Sequence, residues 1–230
     1  MIVIVGSPVL GLPATPAAAE TAEGSSARIA LAAVAAGADV QLVGKVGDDA
    51  AGESVLLALG RGKVGHLATM RVAATTPAVA PEAGDEDDAD DDKALAALLV
   101  DAGDEAGDDE WAPAPPPRGL PLEPADIALG LQYLVSFRVL VAAEQFDDEA
   151  ARVIADAASF AGAQLVAIAA PGARVPEAFG EATVLERPDE DPAGEFAALV
   201  GWFAAALDRG VEPARALAEA ATAGGWRQAR

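Results

Sequence analysis

Acidic and small residues gather just before an apolar C-terminal stretch, in the order Asp189-Glu190-Asp191-Pro192-Ala193-Gly194-Glu195-Phe196. A helix opening there would present free backbone N–H groups and the positive end of its dipole, so it could hold an anion. Glu195 would add a carboxylate able to take a proton from a hydroxyl. Each residue also has a structural explanation. Pro192 has no N–H and removes one donor, yet it suits the first turn of a purely structural helix. Glu195 is also the residue that a solvated first turn selects.

Other chemistry is sparse. His66 is the sole histidine and there is no cysteine, so neither a Ser-His-Asp constellation nor a thiolate metal site can be assembled with assurance from sequence. The run Asp85–Asp92 offers oxygen ligands for Ca²⁺ or Mg²⁺, but it lacks the spacing, glycine and distal Glu of a calcium loop and reads as solvated. No metal ligand is assigned. Phe196, Trp202 and Phe203 fall at helical spacing and read as core, with Trp202 also able to serve a partner interface.

The elements that must position these residues alternate between strand and helix. Ile2–Val5 is a short apolar run, the pattern of a strand buried on both faces. Ser7–Gly24 reads as loop. Ser25 and Ser26 are candidate caps for a helix over 27–36, and Val40–Val43 is the next strand. Asp48 and Asp49 cap a helix over 51–59, and 66–72 and 77–80 read as short strands. The pattern resumes with a helix over 124–133, a strand over 138–142, a helix over 147–161 capped by Asp147, and strands over 164–169 and 182–185. Helices over 193–207 and 212–223 close it. Repeated βα units imply a parallel sheet between helical layers.

Composition agrees. Of 230 residues, 52% are hydrophobic but only 4% aromatic, as expected for Ala-, Val- and Leu-rich helices on a parallel sheet. A chain this long buries roughly 70–75% of its unfolded surface and needs no metal or disulfide staple. Net charge is −22, which argues against nucleic acid and against an anionic membrane surface. Residues 82–110 hold fourteen acids and one lysine, so they carry −13 of that charge. Repulsion there, and the prolines after it, predict a mobile insert over 83–118 within a single domain spanning 1–230. Met1–Gly6 lacks a signal-like leader and no apolar run reaches membrane length, so a cytoplasmic protein is expected.

The stretch from Gly24 to Glu53 resembles the first signature of the ribokinase-like (PfkB) carbohydrate kinases, whose pattern runs Gly-Gly-x-Gly-x-Asn, an Ala-rich helix, then Gly-x-Val-Gly-x-Asp-x-x-Gly. The second half is intact as Gly44-Lys45-Val46-Gly47-Asp48-Asp49-Ala50-Ala51-Gly52. Lys63-Val64-Gly65-His66 is similar to the segment leading into that family's lid strands. Thr75-Thr76-Pro77 is similar to its Thr-x-x-Pro-Thr, and Pro188-Asp189-Glu190 to its Pro-Asn-x-x-Glu. The 189–195 stretch resembles the family's anion-hole and catalytic-base motif, Asp-Thr-x-Gly-Ala-Gly-Asp, with Pro192 at the first Gly and Glu195 at the catalytic Asp.

The resemblance implies an α/β/α three-layer sandwich with a mostly parallel sheet and a reduced lid. It implies substrate contacts at Gly24, Ser25, Arg28 and Glu144, cofactor contacts at Asp189, Ala193 and Gly194, and a base at Glu195. The departures weigh on activity. No acid follows the first strand within Ser7–Leu12, Arg28 stands at the Asn, and the nucleotide-cradling strands between 187 and 195 have no room. Glu195 carries an extra methylene, which moves its carboxylate by about 1.5 Å, when a misplacement of about 1 Å can lower a rate ~10²-fold. The expectation is a degenerate carbohydrate-kinase homologue, dimeric through lid strands over Leu67–Ala80, binding a small polyol or nucleoside. Two alternatives stand: an active kinase using ATP and Mg²⁺ with Glu195 as base, and a non-enzymatic oligomeric interaction module.

Overall fold

The computed structural model describes residues 1–15, 17–80, 118–134, 136–188, 191 and 194–223. Residues 83–117 of the sequence-predicted insert over 83–118, together with Asp189, Ala193 and the terminal Trp226, therefore lie outside the described residues. In chain order the elements are β1 (Ile2–Val5), β2 (Val9–Gly11), β3 (Thr21–Glu23), α1 (Ser25–Ala35), β4 (Val40–Gly47), α2 (Ala50–Arg61), β5 (Gly65–Val72) and β6 (Ala78–Val79). There follow α3 (Pro124–Gln132), β7 (Val139–Ala142), α4 (Asp148–Ala161), β8 (Gln164–Ala169), a 3-10 turn (Glu177–Phe179), β9 (Thr183–Glu186), α5 (Glu195–Asp208) and α6 (Pro213–Ala223).

Six strands form one wholly parallel sheet in the order β5-β4-β1-β7-β8-β9. β1 is central, with Ile2 opposite Val40 on one side and Val139 on the other. Alternate side chains feed two cores. Ile2, Ile4, Leu42, Val141 and Ile168 meet α1, α2, α5 and α6. Val3, Val5, Val43, Leu140 and Ala167 meet α3 and α4. Helices on both faces explain why the strand runs are continuously apolar, and each such buried Ile, Leu or Val contributes about 1.5–3 kcal/mol. The result is the expected α/β/α sandwich.

α5 is almost wholly buried because it lies between the sheet and its neighbours α1 and α6. Gly201 lets it approach α1: a Cβ there would stand 2.6 Å from the Cβ of Ala32. This close crossing brings the first turns of α1 and α5 side by side.

A second, three-stranded sheet, β3-β2-β6, forms the lid beside α2. It corrects two expectations. Residues 7–24 are not all loop, since they hold β2 and β3; strands of three residues are too short to show a period, and β2 finds its parallel partner at Ala78 far along the chain. Nor do residues 66–72 belong to the lid. They are the edge strand β5 of the main sheet, paired in parallel with β4, and only 78–79 joins β2. A third correction concerns α1, whose N-cap is Gly24 rather than Ser25 or Ser26, with no side chain capping it. Among the described residues, no helix is long and apolar enough to cross a membrane.

Candidate functional site

The chain reverses direction across the sheet between β1 and β7. From β1 it runs outward through α1 and α2 on one face to β4 and β5; from β7 it runs outward along the other face to β8 and β9. A crevice at the carboxyl ends of the strands opens at such a reversal. Ser7 lies just past β1 and Glu144 just past β7. The Ser7 backbone N–H donates to Glu144 Oε1 at 2.6 Å, and the Ser7 hydroxyl oxygen accepts from the Lys45 backbone N–H at 3.1 Å. The ends of β1, β4 and β7 are thereby tied at one point.

Glu144 is the most perturbed carboxyl described. Burial raises it to about 7, against the opposing pull of the Ser7 N–H and the Arg118 charge. A carboxyl near neutrality can accept or donate a proton, which is what acid–base or hydroxyl-binding chemistry requires.

Around this pair the chain is tight. A Cβ on Gly6 would lie 2.9 Å from Ser26 Cβ and 3.0 Å from Glu144 Oε1, so α1 and Glu144 both abut the end of β1. Gly119, leading into α3, lies directly on Ser7, where a Cβ would overlap the Ser7 carbonyl oxygen. The Lys45 ammonium pairs with Asp126 in the first turn of α3 and pins that helix over the strand ends. On the far side of Glu144, a cleft of about 320 Å³ extends between the ends of β7, β8 and β9, walled by Phe146, Ile168, Val175, Phe179 and Val184.

The start of α5 differs from expectation in its occupancy. Asp191 lies across it: Oδ1 accepts from the Phe196 N–H at 3.1 Å and Oδ2 from the Ala197 N–H at 3.4 Å. The chain's own carboxylate thus caps two first-turn donors of α5, those of Phe196 and Ala197. Gly194 caps the helix in a left-handed conformation (φ 68°) beside the Arg28 guanidinium, and Glu195 is exposed. Arg28 Nε also donates to Glu23 Oε2 at 2.5 Å, which neutralises it.

The intact motif over 44–52 has an architectural role. Asp49 caps α2, accepting from the Gly52 N–H at 2.7 Å, the Thr76 N–H at 2.9 Å and the Thr76 hydroxyl at 2.7 Å. Thr76 Oγ1 in turn accepts from the Gly47 N–H at 2.8 Å. The bonds from Thr76, then from Gly52, hold the Asp49 carboxyl below its ordinary value. Immediately after Thr76, the Pro77 carbonyl accepts from the Leu10 N–H and begins the lid.

The structure therefore gathers Gly24, Ser25 and Glu144 around the strand reversal, and Arg28, Gly194 and Glu195 around the adjoining start of α5. Ser7 and Arg118 belong to these places but carried no motif, and Asp191 stood inside the 189–195 motif without a role of its own. Only the position of Ser7 after a buried strand could have drawn attention to it.

No protein-family model matches the chain, and no curated protein matches it. Solved structures do. The PfkB protein from Polaromonas sp. JS666 is similar at 15% identity and TM-score 0.62, over 97% of this chain and 94% of that one. Phosphofructokinase-2 from Escherichia coli in complex with fructose-6-phosphate is similar at 13% identity and TM-score 0.60, over 97% and 92%. The tetrameric inhibited form of the same enzyme gives 11% and 0.59, over 97% and 92%. The chain has the fold of the ribokinase-like, PfkB-type carbohydrate kinases.

Proposed function

We propose that this protein is a ribokinase-like carbohydrate-kinase homologue that has lost phosphoryl transfer and binds a small polyol or nucleoside where β1 and β7 end. The observation that carries the loss is the Asp191 carboxylate across the N-terminus of α5. Phosphoryl transfer rests on positioning and on charge stabilisation of the transferring group. A phosphate brought to this helix would meet a carboxylate instead of free donors. The described residues around α5 therefore do not fit a nucleotide triphosphate, and no catalytic step is derived through one. Glu195, exposed at the first helical position, serves as a solvated dipole partner.

Binding without transfer uses what remains. Glu144, buried and near neutral, can accept from or donate to a ligand hydroxyl, and the adjoining cleft gives an apolar wall to a ring. By analogy with the tetrameric neighbour, self-association is part of this reading, with the lid and the β5 edge, where Leu67 is 92% exposed, as the surfaces.

Calorimetry with Mg-ATP, alone and with ribose or adenosine, tests the proposal. The expected result is silence toward Mg-ATP at millimolar concentration, where affinity is worth about −4 kcal/mol, together with a measurable heat for a polyol or nucleoside. Substrate-dependent ADP release that disappears in Glu195→Ala would replace this reading with an active kinase. Silence toward every small molecule, with a stable oligomer, would leave an interaction module.

A further inference from the structure

The six-stranded sheet is open at both ends, at β5 and at β9. Among the described residues, no strand pairs with the outer side of either. Burial follows: β1 and β7 are buried throughout, β5 only at Ala68 and β9 nowhere. Each edge presents a row of backbone N–H and C=O groups that can pair with another strand. β5 is the longer, eight residues without a proline, and Leu67 on it is 92% exposed. Gly60 of α2 stands over this strand, where a Cβ would lie 3.5 Å from His66 Cε1. Leu57, one turn back on the same side of α2 and exposed, therefore flanks the edge as well.

The two edges differ in charge. No acid occurs between Glu53 and Glu82, and Arg61, Lys63 and Arg71 all fall in that interval. All three are exposed. Arg61 and Lys63 have no ion-pair partner among the described residues, and Arg71 reaches Asp48 only at 3.9 Å. At the other edge, Glu177 and Glu181 precede β9 and Glu186 ends it, all exposed. Arg174 there is taken up by Asp148, and Arg187 follows the strand. Copies of a chain with net charge −22 repel one another, so contact is favoured only where local charges are opposite. Two β5 edges face to face would set cation against cation.

We propose that the β5 edge of one copy pairs in parallel with the β9 edge of a second copy, so that the sheet continues from molecule to molecule. Self-association at this edge is then head to tail; this rests on the self-association proposed above and not on ligand binding. Laid start to start, with Gly65 beside Thr183, the strands set Lys63 beside Glu181 and leave Arg187 beside Thr69, clear of the cations. A parallel addition also keeps the single direction of the sheet. Such a contact is heterologous and does not close at two copies, so assemblies lengthen with concentration.

Sedimentation velocity of the full chain over a concentration series tests it. In about 0.05 M salt the mean size should rise past the dimer without a plateau, and in about 0.5 M salt it should fall back, because exposed charges are then screened. Lys63→Glu and Glu181→Lys should each weaken association about tenfold, since each sets like charges together. Circular dichroism should show both variants folded, as both side chains are exposed. Mixed one to one, the two variants should associate again, because every junction then joins opposite charges. The double variant Lys63→Glu, Glu181→Lys should recover growth by itself for the same reason. These results support the contact. A closed dimer that ignores both substitutions keeps self-association, at another surface, and overturns the head-to-tail contact. A dimer lost in Lys63→Glu but kept in Glu181→Lys puts a different surface on β5 and overturns it too. A monomer at every concentration overturns both the contact and the self-association.

Discussion

Glu144 and Ser7, 137 residues apart in sequence, are joined by a 2.6 Å hydrogen bond from the Ser7 N–H to Glu144 Oε1, where the strand order reverses. One short bond thus ties the two halves of the sheet at the mouth of its crevice and keeps a carboxyl out of water.

Stability should record that carboxyl's burial. The folded protein holds Glu144 near 7, against an ordinary 4.5, so it keeps the proton longer than the unfolded chain does. Its contribution is fully present below about pH 4.5 and is lost as pH rises toward 7. Glu144→Gln should flatten this part of the profile and gain about 1–3 kcal/mol over wild type at pH 8. Urea melts at pH 5 and pH 8 check it; an equal effect at both pH values would contradict the raised carboxyl.

Asp49 and Thr76 should act as one unit. Thr76→Val removes the hydroxyl between Asp49 and Gly47, and Asp49→Ala removes the α2 cap; each should cost about 1–2 kcal/mol. Because the two share bonds, the double variant should cost clearly less than the sum. Hydrogen exchange at Leu10, whose amide binds Pro77, should quicken in both single variants. Asp49 has the opposite pH signature to Glu144: its support is present above the ordinary carboxylate range and is lost on acidification.

The Lys45–Asp126 pair is mostly shielded, with side chains 13% and 21% exposed. Asp126→Leu alone should cost about 2–4 kcal/mol, because the ammonium is left without its partner. The double replacement Lys45→Met, Asp126→Leu should recover most of that loss. Thermal melts of the three variants decide it, and a double variant as weak as the single one would show that the pair does more than neutralise.

Asp191→Ala should lower stability by about 1 kcal/mol through loss of the bonds to Phe196 and Ala197. Under the proposed reading it should not create ADP release with any sugar, because that reading places the loss in more than one feature of the chain. Turnover appearing in that variant would show that Asp191 alone holds an intact kinase in check.

The residue pattern by itself determined the α/β alternation, most element boundaries to within a few residues, and the Asp147 cap of α4. Those are local matters: apolar period, capping residues and glycine stops act over a few positions. The motif over 44–52 showed that Asp49 matters, and spacing placed it at the start of a helix. Only the tertiary structure decided the rest. It drew β2, β3 and β6 into a lid that no local period announces, and moved 65–72 from lid to sheet edge. It set Glu144 against Ser7, laid Asp191 across α5 and left the Ser26 hydroxyl buried without a partner among the described residues. Burial and hydrogen-bond satisfaction are properties of distant chain segments meeting in space, and nothing in the order of residues fixes them before the sheet is closed.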